Sequence, residues 1–397
     1  MKFKKIAALS LATSLALFPA FGGSSLAKEA PKPFQPVNKT VDKDAFESGE
    51  VIVKFKDGVS EKAQGSALNK AKANEQKASA KDPFQVLEVV DVDQAVKALE
   101  NNPNVEYAEP NYTFQATWTP NDPYYSTYQY GPQNTSTPAA WDVTRGSSTQ
   151  TVAVLDSGVD YNHPDLARKV IKGYDFIDRD NNPMDLNGHG THVAGTVAAD
   201  TNNGIGVAGM APDTKILAVR VLDANGSGSL DSIASGIRYA ADQGAKVLNL
   251  SLGCECNSTT LKSAVDYAWN KGAVVVAAAG NDNVSRTFQP ASYPNAIAVG
   301  AIDSSDRKAS FSNYGTWVDV TAPGVNIAST VPNNGYSYMS GTSMASPHVA
   351  GLAALLASQG KNNVQIRQAI EQTADKISGT GTNFKYGKIN SNKAVRY

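Results

Sequence analysis

Three segments of the chain carry side chains that could together move a proton and attack a carbonyl carbon. Asp156 ends the run VAVLD inside VAVLDSGVD (152–160). His189 stands between two glycines in NGHGTHVAGT (187–196), and Ser343 follows a glycine in SGTSMASPHVAG (340–351). A serine hydroxyl is a poor nucleophile until a base takes its proton, and that base works best when a carboxylate orients it. Asp156, His189 and Ser343 supply an orienting acid, a general base and a nucleophile, in the chain order Asp, His, Ser. A fourth place, AAAGND (277–282), puts Asn281 after an apolar run and a glycine. Its side-chain amide could donate to a developing oxyanion, beside the backbone N–H of Ser343 if that serine opens a helix.

Each residue alone also has a plain structural reading. Asp156 could cap a turn, Ser343 could cap a helix, and an Asn after Gly is common in turns. His192, one helical turn beyond His189, reads as a hydrogen-bonded structural histidine. HGTH is not the HExxH pattern of zinc proteases, and the GxSxG of α/β-hydrolases is absent around Ser343. It is the four groups in combination that point to acyl transfer.

Such residues need rigid elements behind them. Short apolar runs at 151–155, 216–221, 246–252, 274–279 and 296–301 read as strands. Ala-rich stretches at 191–199, 229–243, 261–270 and 343–357 read as helices. Continuous apolar strands between helices imply an α/β fold: a mostly parallel sheet with helices on both faces, whose sites form where strands end. The suspect residues mostly follow strands, as that architecture requires. An earlier module has a different texture. Glu50–Lys56 and Phe84–Val92 read as strands, and Ser60–Ala80 and Asp93–Asn101 as helices, with Asp93 a candidate cap. Val105–Phe114 is extended. Together they predict a small α+β domain.

Composition sets the limits. The chain has 397 residues, 41% hydrophobic and 18% charged, with a formal net charge of -1. That suits a globular protein and gives no footprint for nucleic acid. At the N-terminus, Lys2, Lys4 and Lys5 precede an apolar Ile6–Phe21, with small residues Ser25 and Ala27 beyond. The order matches a secretory signal cut after Ala27 rather than a short buried helix. Lys28 to about Asp44 reads as a linker. The expected organisation is a signal at 1–27, a leading segment at 28–117 and a main domain at 118–397, with no membrane span after signal removal. The only cysteines, Cys254 and Cys256, cannot build a disulfide framework. Export favours a strained bridge between them, and two free thiols are the alternative.

The motifs VAVLDSGVD, NGHGTHVAGT and GTSMASPHVAG are long, and across residues 118–397 the chain resembles a subtilisin-family catalytic domain of the thermitase-like branch. The resemblance implies a serine endopeptidase with Asp156, His189 and Ser343 as triad and Asn281 in the oxyanion hole. It implies an S1 pocket flanked by Ser251, Leu252 and Gly253 on one side and Ala278, Ala279 and Gly280 on the other. Gly226, Ser227 and Gly228 would line an extended substrate strand, so that protein and peptide substrates add to the sheet edge with broad tolerance. Cys254 and Cys256 depart from the pattern at the rim of that pocket, and Phe288 is expected to shape its base. The segment from Glu50 to about Thr117 resembles, more loosely, the family's inhibitory propeptide. That likeness implies self-cleavage near Thr117–Trp118 and inhibition of the monomeric enzyme by its own propeptide.

Metal binding is expected as well. Asp175, Asp178, Asp180, Asn182 and Asp185 crowd one loop, and clustered oxygens suit calcium, a solvated acidic loop being the alternative. Like charges so close repel unless a cation sits among them. By resemblance the ligands are Asp175, Asp178, Asp180, Asn182 and Met184. A second Ca2+ site is implied at Asp122, Asp165, Asp200, Asn203, Ile205 and Val207. A third, weak Ca2+/Na+ site is implied at Ala291, Tyr293, Ala296 and Asp319. The rival readings are a catalytically inactive peptide-binding protein on a protease scaffold and a serine esterase. Hydrolysis of casein, and its block by a serine-directed inhibitor, separates them.

Overall fold

The computed structural model describes residues 46–77, 83–112 and 118–397. The signal segment, the linker, and residues 113–117 on the N-terminal side of the expected Thr117–Trp118 cut lie outside them.

The leading module is a four-stranded antiparallel sheet with two helices. Its elements are β1 (Phe46–Phe55), α1 (Glu61–Lys70), β2 (Ala73–Lys77), β3 (Gln85–Val89), α2 (Val92–Glu100) and β4 (Val105–Tyr112), with strand order β2-β3-β1-β4. Alternate residues Val51 and Val53 of β1 point into a core with Leu87, Ala95 and Leu99, as period-2 patterning demands. Two expectations need correction. The helix predicted over Ser60–Ala80 stops at Lys70. Lys72 takes φ +53°, and Ala73 pairs with Val89 as an edge strand. Helix-forming composition yields there to tertiary pairing. The cap of α2 is Asp91, not Asp93: its carboxylate accepts the Gln94 N–H at 3.0 Å.

The main domain begins with three short helices, α3 (Tyr125–Tyr128), α4 (Gly131–Asn134) and α5 (Thr137–Trp141). Next come β5 (Thr151–Asp156), β6 (Val170–Asp175), α6 (His189–Ala198), β7 (Lys215–Arg220), α7 (Leu230–Asp242), β8 (Val247–Leu250), α8 (Thr259–Asn270), β9 (Val274–Ala278), β10 (Ala296–Ile302) and β11 (Val320–Pro323). A hairpin, β12 (Ile327–Val331) and β13 (Gly335–Met339), leads into α9 (Thr342–Ser358), then α10 (Asn363–Gln372), β14 (Gly387–Lys388) and α11 (Ser391–Arg396). The eight-stranded sheet runs β14-β11-β10-β9-β8-β5-β7-β6, and every pairing in it is parallel.

Both faces of the sheet are covered, which explains why its strands are apolar at every position. In β5, Val152 and Val154 join one core with α6 and α9, while Ala153 and Leu155 join the other with α7 and α8. The same alternation holds in β7, β9 and β10. Leu155 is fully buried, so its truncation to Ala would cost about 2–5 kcal/mol. The chain leaves β5 toward β6 and β7, then returns to place β8 on the other flank of β5. That reversal opens a crevice at the carboxyl ends of β5 and β8.

Candidate active site

Asp156 closes β5 at that crevice and is fully buried. Its Oδ1 accepts the Ser157 N–H at 2.8 Å and faces His189 Nδ1, also at 2.8 Å. Its Oδ2 is buried without a partner among the described residues. Such an oxygen is costly, and its charge is left to act on the imidazole.

His189 opens α6. Gly188 before it takes φ +105°, a left-handed turn that only glycine adopts cheaply. Behind it, a β-carbon on Gly190 would lie 2.1 Å from the Gly158 carbonyl oxygen and 3.0 Å from Asp156 Cβ. Glycine there lets α6 sit directly against β5, so the pair can meet. The turn is organised by Asp185, one of the acids first read as part of a cation loop. Its buried carboxylate accepts from Asn187 N–H, Gly188 N–H, Thr191 N–H, the Thr191 hydroxyl and the Ser157 hydroxyl, at 2.6–2.9 Å. It therefore acts as a cap for the first turn of α6, where a negative charge also opposes the helix dipole favourably. Burial, the largest single influence on His189, pulls its pKa down. Attraction to Asp156, the hydrogen bond to Asp156 and the charge of Asp185 outweigh it, so the imidazole sits above its ordinary value. The ring remains about a quarter exposed, 27% by side chain, and Nε2 has no partner among the described residues.

Ser343 lies in the first turn of α9, which packs against α6 and the strands around β8 and β9. Pro347, four residues on, has no N–H to give the Ser343 carbonyl. The Ser251 hydroxyl takes that role at 2.8 Å. In return, Ser343 Oγ donates to the Ser251 carbonyl at 3.2 Å rather than to the His189 ring. Asn281 follows β9. Its Oδ1 is held by Thr342 N–H at 2.8 Å and the Thr342 hydroxyl at 2.9 Å, which leaves the NH2 free to donate outward. The same hydroxyl accepts from Gly280 N–H at 3.1 Å. Thr342 was not singled out in the sequence, although it adjoins Ser343; Ser251 was expected only as a pocket flank, and its bonds with Ser343 are made by the fold.

The implied pocket walls are the ends of neighbouring strands. Ser251, Leu252 and Gly253 follow β8; Ala278 ends β9, with Ala279 and Gly280 next. Phe288 closes against both glycines, and a β-carbon would sit 2.4 Å from its ring at Gly253 and 3.2 Å at Gly280. Cys254 and Cys256 are bonded in this structure, and Cys254 exchanges both main-chain hydrogen bonds with Gln289. Across the crevice, Asp223 organises Gly226, Ser227 and Gly228 into an exposed turn by accepting from Asn225 and Ser227 N–H.

The three expected cation sets fare differently. Among the described residues, no group of three or more acids, histidines or cysteines converges. In the acidic loop, the positive charge among the carboxylates is Arg220. Its guanidinium binds Asp175 at 2.7 Å and Asp178 at 2.6 Å, while the other Asp175 oxygen accepts Ile177 and Asp178 N–H. Asp180 accepts from Asn182 N–H, the Asn182 carbonyl accepts from Met184 N–H, and the Met184 carbonyl lies against Gly158. With a guanidinium already in place as counter-charge to Asp175 and Asp178, this set does not fit an ion. At the weak set, Asp319 accepts Ala298 N–H and faces Arg367 at 3.4 Å, while the Tyr293 carbonyl accepts Ala296 N–H. Burial raises its pKa to about 6. Arg367 takes the cation's place, and this set does not fit either.

Asp122 and Asp165 are different. Both are buried, and burial foremost raises both carboxyls, Asp122 further by the charge of Asp165. Neither has an ion-pair partner among the described residues. Their oxygens meet Asn202, Asn203 and Val207 N–H, the Asn203 amide and Tyr336. Gly206, at φ +53°, leaves a cradle in which a β-carbon would lie 2.0 Å from Asp165 Oδ2. Two buried carboxylates in a glycine-bearing loop of carbonyls suit a hard divalent cation. Asp200, whose side chain pairs with Arg168, would contribute only its carbonyl.

An acid–imidazole pair at a strand end, a serine at a helix start and an amide beside it define a serine hydrolase built on a parallel sheet. Residues 147–388 match the Subtilase family, and residues 33–111 match the Fervidolysin N-terminal prodomain. The chain is 65% identical over 401 residues to the thermophilic serine proteinase of Bacillus sp. (strain AK1), covering all of both chains. It is 59% identical over 280 residues to thermitase of Thermoactinomyces vulgaris, covering 70% of this chain and all of that one. Subtilisin E of Bacillus subtilis (strain 168) is 42% identical over 347 residues, 85% of this chain and 87% of the other. The chain belongs to the subtilase family: it is a thermitase-like, subtilisin-like serine endopeptidase with an N-terminal prodomain.

Proposed function

We propose that the protein is an exported, self-processing endopeptidase of broad specificity, with Asp156, His189 and Ser343 as its triad and Asn281 in the oxyanion hole. The observation that carries this is the 2.8 Å contact of the buried Asp156 with His189 at the switch point of the sheet. In the reaction, the Ser343 hydroxyl turns from the Ser251 carbonyl to His189 Nε2, a contact that tightens only with substrate in place. Nε2 takes the proton as Oγ bonds to the scissile carbonyl carbon. The oxyanion is held by Ser343 N–H and the Asn281 amide. His189 then protonates the leaving amine, the C–N bond breaks, and water, activated by the same ring, releases the acyl group.

Substrate lies as an added strand between Gly226–Gly228 and Ser251–Gly253, with its P1 side chain between Gly253 and Ala278–Gly280. Main-chain pairing of this kind tolerates many sequences. Residues 28–117 act as the inhibitory propeptide after signal removal at Ala27. In support, thermitase aligns along its whole length over 280 residues, the length of 118–397. The Cys254–Cys256 bond persists in the exported, monomeric enzyme. Calcium is held by Asp122 and Asp165 with the Asn203 side chain and the carbonyls of Asp200, Ile205 and Val207, where it would neutralise two buried charges and tie the mature N-terminal segment to the domain.

The test is Ser343→Ala expressed alone. Casein hydrolysis should fall to the level of a blank, and the chain should stay at precursor length. If that protein still acquires a Trp118 N-terminus by sequencing, self-processing is wrong; if it still cleaves casein, the nucleophile is wrong.

A further inference from the structure

The β12–β13 hairpin touches both the Asp165 loop and the helix that carries His189. On the loop side, the Tyr336 hydroxyl donates to Asp165 Oδ2 at 3.0 Å, across 171 residues of sequence. Its ring stands edge-on to Tyr124 and His163, at 5.1 Å from each. There is no slack at this junction, since a β-carbon on Gly206 would lie 2.2 Å from the Tyr336 oxygen. On the helix side, the Ser329 hydroxyl donates to the His192 carbonyl at 2.7 Å and the Thr330 hydroxyl to the Thr191 carbonyl at 2.8 Å. The buried His192 ring donates from Nε2 to the Ile327 carbonyl at 2.8 Å, because a carbonyl can only accept. The hairpin turn adds Asn333 N–H to Asp160, whose own N–H donates to the Thr191 hydroxyl. Thus the residues directly after His189 are held by the hairpin as well as by Asp185, and the hairpin meets the loop at three points: the Tyr336 hydroxyl on Asp165, Asn333 N–H on Asp160, and the Gly335 carbonyl against His163 Nε2 at 3.0 Å.

We propose that Tyr336 is a positioning residue that couples cation binding at Asp165 to the order of the His189 turn. This rests on the reading of Asp122 and Asp165 as calcium ligands. A hydrogen bond to a ligating carboxylate orients it and strengthens the site, and its loss weakens affinity about tenfold or more. The ion draws Asp165 into one position, Tyr336 follows it, and β12–β13 presses its hydroxyls onto α6. Of the contacts between the hairpin's outer strand and the loop, the Tyr336 bond is the one made to a ligating carboxylate; the Gly335 carbonyl meets His163 instead.

The test uses mature enzyme, chelator-stripped and blocked at the nucleophile by a serine-directed inhibitor to prevent autolysis. Calcium chloride is titrated by calorimetry, and hydrogen exchange is followed by mass spectrometry in a peptide spanning 187–195. In the wild type, calcium should slow exchange in that peptide. Tyr336→Phe, which keeps the ring, should bind calcium about tenfold more weakly. At saturating calcium its 187–195 exchange should remain faster than wild type. Tyr338→Phe is the control on the same strand, since the Tyr338 hydroxyl is buried without a partner; its calcium affinity should match wild type. Equal affinity in Tyr336→Phe and wild type overturns the proposal, as does wild-type exchange at 187–195 that ignores calcium. A wild-type protein that takes up no calcium sinks the metal reading itself, a separate outcome.

Discussion

Asp185 shows how much a single side chain can be misjudged from its neighbours in the sequence. Three acids and Asn182 before it suggested a cation loop, yet its carboxylate faces amide and hydroxyl donors at the start of α6. It acts on the proposed base twice, by capping the turn that bears His189 and by raising the imidazole pKa. The sign follows directly. The base must be neutral to accept a proton, so activity rises as pH climbs through the raised pKa, and the acid limb lies above the ordinary imidazole value. Asp185→Asn keeps the shape and removes the charge. Its acid limb of kcat/KM should move to lower pH, with a stability loss of about 1 kcal/mol for the weakened cap. An unmoved limb in a folded variant would show that Asp185 is only structural.

Among the elements, α6 and α9 are distinguished by their lack of bulk. Gly195 of α6 faces the hairpin so closely that a β-carbon would lie 2.3 Å from Thr330 Oγ1 and 2.5 Å from Ser329 Oγ. Those are the hydroxyls that hold the α6 carbonyls. Gly195→Ala should therefore push the hairpin off the helix and cost about 1–3 kcal/mol, the usual range for overpacking. Thermal unfolding measures the cost, and kcat should fall with it because the His189 turn loses its support. A stable, fully active Gly195→Ala protein would mean that the contact yields easily. Gly351 of α9 plays a similar part against Met210, at 2.4 Å from its Cβ. The Ala- and Gly-rich texture of both helices was visible in the sequence. What it served was not, because the partners come from segments more than a hundred residues away.

On the scale of the whole molecule, the two buried carboxylates at Asp122 and Asp165 are the weak point of the main domain without an ion. A ligand bound only by the folded state stabilises it by about 4 kcal/mol at a thousandfold excess over Kd. For a domain of this size, that corresponds to about 10 °C in Tm. Stripping calcium with a chelator should lower Tm by about that amount, and restoring calcium should recover it. In Asp165→Asn the chelator should have little effect. A wild-type Tm that is indifferent to chelator would remove this site from the account. Asp175 and Asp178 should contribute nothing to that difference, since Arg220 already pairs with both.

The identity of the chemical groups was readable before any fold was known. Asp156, His189, Asn281 and Ser343 each sit in a local pattern, a strand end or a helix start flanked by glycine, that backbone geometry alone imposes on a reactive residue. The two-sided burial of the sheet was readable for the same reason, as apolar residues at both parities of each strand. Counter-charges and supports were hidden. Arg220 among the acids, Arg367 beside Asp319, Ser251 beneath Ser343 and Tyr336 on Asp165 all join residues far apart in the chain. Electrostatic and hydrogen-bond partners are chosen by distance in space, and only chain packing decides which residues come within 3 Å of one another.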